Sequence, residues 1–144
     1  MNFTAQVVIE RPRDRVLELI RNPAYIGAWQ PGWQYGPLLA GEPDRVGARR
    51  SVLIQMQGIR LEMIEILVAF NPPELFSSLY TARGVTNRVE NRFLEDSSMS
   101  TRWVISNSFE FAGLMKVAGG IVGDFVPRQT VASMQRFKEF AERS

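Results

Sequence analysis

The sequence of 144 residues contains no cysteine and no histidine. Without cysteine there is no disulfide framework and no thiolate nucleophile. Without histidine the side chain most used as a general base and transition-metal ligand is missing. Most familiar catalytic constellations are thereby excluded, and any proton transfer falls to a carboxylate, a tyrosine, an arginine-perturbed group or ordered water. Long apolar runs are absent too: no segment approaches the ~20 continuous apolar residues of a membrane span, so no stable membrane insertion is expected. Charge of one sign is not massed anywhere. The 17 basic and 15 acidic residues leave a formal charge of +2, and the basic ones, nearly all arginine, are dispersed. That is a poor basis for nucleic-acid binding. The opening "MNFTAQVVIE" lacks the charged and apolar regions of a secretory signal, which makes a cytoplasmic location the expectation. The carboxylates show no metal-binding spacing, and "AGGIVGD" lacks the Lys-Ser/Thr of a phosphate-binding loop, so neither metal nor cofactor is expected.

What is present suits one domain over residues 1–144. The 45% hydrophobic and 22% charged fractions are those of a globular chain, and a chain of this length removes roughly 68–70% of its unfolded surface from water. Phe3, Ala5, Val7 and Ile9 alternate with Thr4, Gln6, Val8 and Glu10, the period of a half-buried strand. "RPRDRVLELIRN" predicts a helix, with Pro12 suited to the first turn, Asp14 favourable to the dipole, and Val16, Leu19 and Ile20 on one face. "AYIGAWQPGW" predicts a second short helix stopped by Pro31 and Gly32. Trp29 and Trp33 bracket that stop, and either pack at a cavity mouth or cap the short helices. Strands are predicted at 33–40, 49–56 and about 60–70, the last with a bulge hinted between Glu62 and Glu65. Further strands are predicted at 75–81, from Gly84 to near Glu95, and at 101–109. From about Val122 the period becomes helical, with Phe125, Gln129, Ser133, Met134 and Phe137 on one stripe. Gly113, Gly119, Gly120 and Gly123 loosen the stretch before it, which could act as a gate.

This order is an α+β arrangement: a meandering antiparallel sheet that twists, curls and is covered by the terminal helix. At this point "IERPRDRVLELIRNPAYIGAWQPGW", "GEPDRVGARR", "FNPPELFSSLY" and "RQTVASMQRFKEFAE" together resemble the SRPBCC or START-like superfamily of polyketide cyclases/dehydrases and lipid-transport proteins. The resemblance spans essentially the whole chain. It implies a helix-grip fold, in which a curved sheet of about seven strands wraps around a long C-terminal helix, with two short helices after the first strand. It further implies an apolar cavity between sheet and helix. No catalytic signature of the family is matched.

Asn87 and Asn91 interrupt the apolar row Val85, Val89, Phe93, with ~13 Å between them, and Asn107 interrupts Trp103, Ile105, Phe109. Unsatisfied in a dry core, each amide would cost about 1–3 kcal/mol. They therefore bond either to protein groups, including one another, or to a ligand. Gln129 and Ser133 either complete that polar set or meet solvent at the stripe's edge. Ile54, Met56, Met63, Val89, Trp103, Ile105 and Phe125 line a cavity if there is one and otherwise pack as core. Weak acid/base candidates are Glu65, Tyr35, Tyr80 and Arg50, and Arg50 shares the parity of Val52, Ile54 and Met56. The leading reading is binding or carriage of a small to medium hydrophobic molecule. The alternatives are a cyclase, dehydratase or hydrolase using the same cavity, and an interaction module whose cavity is filled. Arg88, Arg92 and Arg102, mixed with Glu90, read as a solvated sheet face with cross-strand ion pairs, and that face could instead pair with a second copy.

Overall fold

Alternating and helical periods translate directly into elements. The computed structural model describes the backbone of residues 2–56, 58–113 and 115–144, and their side chains except those of Met56, Ile59 and 115–124. Strand β1 spans Asn2–Ile9. Helix α1 spans Arg13–Arg21, with Pro12 as its N-cap, one position earlier than the sequence suggests. Asp14 lies in its first turn, and Val16, Leu17, Leu19 and Ile20 are buried. The Asn22 side chain accepts from the Ala24 N–H at 3.0 Å. This starts a short 3-10 turn, Pro23–Tyr25, that runs into α2, Ile26–Trp29.

Among the described residues the rest of the chain is β2 (Trp33–Ala40), β3 (Arg49–Met56), β4 (Ile59–Asn71), β5 (Leu75–Ala82), β6 (Val85–Ser97), β7 (Ser100–Phe111) and α3 (Met115–Glu142). The strands form one seven-stranded sheet in the order β1-β7-β6-β5-β4-β3-β2, and every neighbouring pair is antiparallel. It is a meander closed at one side by the return of β1, which leaves β1 and β2 as edges. Helix α3 packs against β1 and α2. It begins upstream of the start expected near Val122 and carries Pro127 within it. The expected gate at 113–123 falls, apart from Gly113, on residues whose side chains lie outside those described.

The core gathers under the C-terminal part of α3. Trp103 from β7 stands edge-on to Phe137 of α3 at 5.3 Å and to Trp29 of α2 at 6.0 Å, and stacks on Phe93 at 6.3 Å. Phe76 continues the stack at 5.9 Å. Ile9, Val16, Leu19, Ile20, Met134 and Ala141 close around these rings. Polar contacts pin the same end of α3: Lys138 Nζ donates to the Val8 carbonyl at 2.8 Å, and the Glu142 carboxylate accepts from Lys138 at 2.6 Å and from the Glu10 N–H at 2.8 Å. Arg136 Nε donates to the Trp29 carbonyl at 3.0 Å.

Two expectations are corrected, the second in part. No bulge separates Glu62 from Glu65, because the β3–β4 register runs unbroken from Arg50↔Glu65 to Leu53↔Glu62. Three apart on a regular strand, Glu62 faces water beside Arg60 at 3.1 Å while Glu65 faces inward, so each carboxylate is satisfied without an irregularity. The register shift of β4 lies instead between Leu67 and Ala69. On the outer face Arg102 of β7 does bridge across strands, to Asp96 of β6 at 2.9 Å, but Arg92 pairs along its own strand with Glu90 at 3.0 Å and not across to a neighbour. Pairs this exposed contribute at most about 1 kcal/mol.

Candidate functional site

Because each strand pair is in register, one transverse line of inward side chains crosses five strands. Arg50 on β3 lies opposite Glu65 on β4, Glu65 opposite Tyr80 on β5, Tyr80 opposite Asn87 on β6, and Asn87 opposite Phe109 on β7. Tyr35 on β2 sits one row along, opposite Val52. The four weak acid/base candidates are thus brought together. Glu65 is 3% exposed, and both its oxygens are engaged: Oε1 accepts from Arg50 Nε at 2.8 Å and Oε2 from the Tyr80 hydroxyl at 2.6 Å. The guanidinium lies over the Tyr35 ring, 3.6 Å from its centre, a cation–π contact. Trp33 stands edge-on to Tyr80 at 6.1 Å.

The electrostatics follow from burial and from the Glu65 charge. Desolvation, then Glu65, pushes the Tyr35 phenol up to about 12. The same two causes push Tyr80 well above the ordinary phenol value. Burial pulls Arg50 down, but Glu65 and the two phenols more than offset it, so the guanidinium keeps its proton. At neutral pH the cluster therefore holds one ion pair and two neutral hydroxyls. Tyr35 and Tyr80 nevertheless keep some accessible surface, as do Trp33, Ile54, Met63 and Asn87 beside them. These side chains are half-buried, unlike the sealed rings of the packed core.

The amides behave differently from one another. Asn87 Nδ2 donates to Asn107 Oδ1 at 3.1 Å and to the Ser108 carbonyl at 3.3 Å, and among the described residues its own oxygen has no hydrogen-bond partner. Asn91 Oδ1 accepts from the Trp103 indole N–H at 3.0 Å, deep in the core. Trp103 is 1% exposed and surrounded by rings, so it stands in the packed cluster. Val89 is buried and Ile105 half-buried. On α3, Phe125 is 43% exposed instead of inward. Ser133 accepts from Arg136 at 3.1 Å on the α2 side of the helix, because Arg136 turns toward the Trp29 carbonyl. Gln129 is half-buried. The Met56 side chain lies outside the described residues.

Two residues near the cluster escape sequence reading: Arg21 and Ser78. Arg21 of α1 sits over the Phe76 ring at 4.8 Å and pairs with Asp44 of the β2–β3 loop at 2.7 Å. Ser78, fully buried, has a hydroxyl without a hydrogen-bond partner among the described residues. Strand parity is a signal that places Ser78 inward, but nothing local marks Arg21 as an inward cation. Among the described residues no group of three or more acidic side chains could hold a metal, and no helix is long and apolar enough to cross a membrane.

Solved structures with this arrangement of strands and helices decide the architecture. The Zhui aromatase/cyclase from Streptomyces sp. R1128 superposes with a TM-score of 0.83 at 18% identity, over 99% of this chain and 94% of that one. A conserved protein from Geobacillus kaustophilus gives 0.79 at 14% identity, over 100% and 97%. Ara h 8.0201 gives 0.76 at 10% identity, over 100% and 99%. The fold is the helix-grip fold. At these identities the likeness shows the fold alone. No protein-family model matches the chain, and no curated protein sequence does.

Proposed function

We propose that this helix-grip protein holds a small to medium hydrophobic molecule against the inner face of β2–β6, with the polar line from Arg50 to Asn87 meeting the guest's polar atoms. One observation carries the reading: the inner face is divided. Its end under the C-terminal part of α3 is filled by the rings of Phe76, Phe93, Trp103 and Phe137, whereas Trp33, Tyr35, Ile54, Met63, Tyr80 and Asn87 at the other end keep accessible surface. Apolar walls with a few convergent polar groups are the usual composition of a ligand pocket. Uptake of Nile red, followed by fluorescence, tests it. The unaltered protein should enhance the dye's emission saturably. Met63→Trp, which puts an indole beside Val52, should abolish the enhancement while leaving the fold intact by circular dichroism. Saturable uptake unchanged in Met63→Trp would remove this face as the site.

A second reading, an enzyme of the cyclase, dehydratase or hydrolase kind, draws support from the 2.6 Å contact of Tyr80 with Glu65. A phenol that gives its proton toward a carboxylate can take one from a bound hydroxyl or enol, and the pair forms a short acid/base relay. Multiple turnover of a polyketone by purified protein, lost in Tyr80→Phe, separates catalysis from carriage.

A further inference from the structure

The cluster contains a cation that is compensated but not saturated. A guanidinium has five N–H donors. Arg50 gives Nε to Glu65, and among the described residues its two terminal amino groups make no hydrogen bond. Its side chain is 17% exposed and so is not sealed in the core. The Tyr35 ring holds it from one side, and Glu65, tied also to Tyr80, fixes it from another. The neighbouring interior cation, Arg21, is likewise matched by Asp44. Both arginines therefore already have their carboxylates.

From this balance of charge we infer that Glu65 acts as a charge filter: it restricts the site to guests whose polar end is a neutral hydrogen-bond acceptor, such as a ketone or quinone carbonyl, and rejects carboxylates. The inference rests on the binding reading above and deepens it. A neutral carbonyl accepts from the open edge of Arg50 and leaves the ion pair intact. A carboxylate at the same place would put two negative groups on one cation and bury an unpaired charge, which is strongly disfavoured. An ammonium fails for the mirror reason: it would meet Arg50, with both Glu65 oxygens already occupied. The filter is thus built from stoichiometry as well as shape. Removing one member should admit ions of that member's own sign.

The test uses three probes of one shape: acetylnaphthalene, naphthoate and naphthylmethylammonium, titrated at neutral pH by displacement of Nile red. The unaltered protein should bind the ketone at least about tenfold more tightly than either ion, the size expected when an uncompensated charge must be buried. Glu65→Gln keeps an acceptor for Tyr80 and frees Arg50, so naphthoate should now bind at least as tightly as the ketone. Arg50→Gln should instead admit the ammonium, and it decides the matter if the first variant does not fold. Naphthoate binding to the unaltered protein as tightly as the ketone overturns the filter and leaves the binding reading standing. So does a folded Glu65→Gln that still prefers the ketone. Failure of Nile red and all three probes to bind the unaltered protein overturns the binding reading, and the filter with it.

Discussion

At the residue scale the informative groups are polar side chains on apolar rows. Asn91 looks from sequence like a free amide in a pocket, yet its oxygen is committed to the Trp103 indole N–H at 3.0 Å. Asn91→Leu should strand that N–H in the ring cluster and lower unfolding free energy by about 1–3 kcal/mol. Adding Trp103→Phe to the Asn91→Leu variant should recover part of the loss, because the orphaned donor disappears with its partner, and a double-mutant cycle by urea unfolding reads the coupling. Tyr35 makes a second, pH-dependent prediction. Its phenol is pushed up from 10.0 to about 12, so the folded state retains a proton that the unfolded chain would release. The resulting stabilisation is fully present below pH 10 and is lost as the pH climbs through about 12. Tyr35→Phe should flatten that part of the stability profile, as followed by alkaline unfolding.

At the scale of elements the sequence is most legible, and its errors are local. Strand and helix limits follow from period because one face of each element is wet and the other dry. The bulge misplaced between Glu62 and Glu65 shows the limit: two like residues three apart suggest one destination, and the structure gives them opposite ones, water with Arg60 and the interior with Arg50. Which side chains meet across strands depends on register, which no single stretch encodes. Arg50, Glu65 and Tyr80 are each visible as candidates, but their junction appears only once β3, β4 and β5 are aligned. The partner of Asn91 is invisible for the same reason. Strand β2 adds a test of close approach. A Cβ at Gly36 would lie 2.0 Å from Ser51 Oγ on β3. Gly36→Ala should lower the melting temperature, and Ser51→Ala should restore much of it by removing the clashing hydroxyl.

At the scale of the whole molecule the two ends of the inner face are built differently. The end under residues 134–141 is filled by rings and tied to β1 by Lys138 and Glu142. The other end carries the hydrogen-bonded polar line of Arg50, Glu65 and Tyr80. Hydrogen exchange should report this division directly. Saturating acetylnaphthalene should slow exchange in 50–54, 63–67 and 78–87 and leave 134–142 unchanged, because that segment is already protected by the global fold. Equal protection throughout would mean that the probe stabilises the fold as a unit without contacting that polar line.

The unbroken ladder from Arg50 to Phe109 has one more consequence. On the binding reading proposed above, cargo preference and scaffold strength would occupy separate stretches of the same strands, so evolution or an engineer could rewrite the ladder position by position for new guests. The aromatic cluster at the far end would continue to hold the architecture together through every such change.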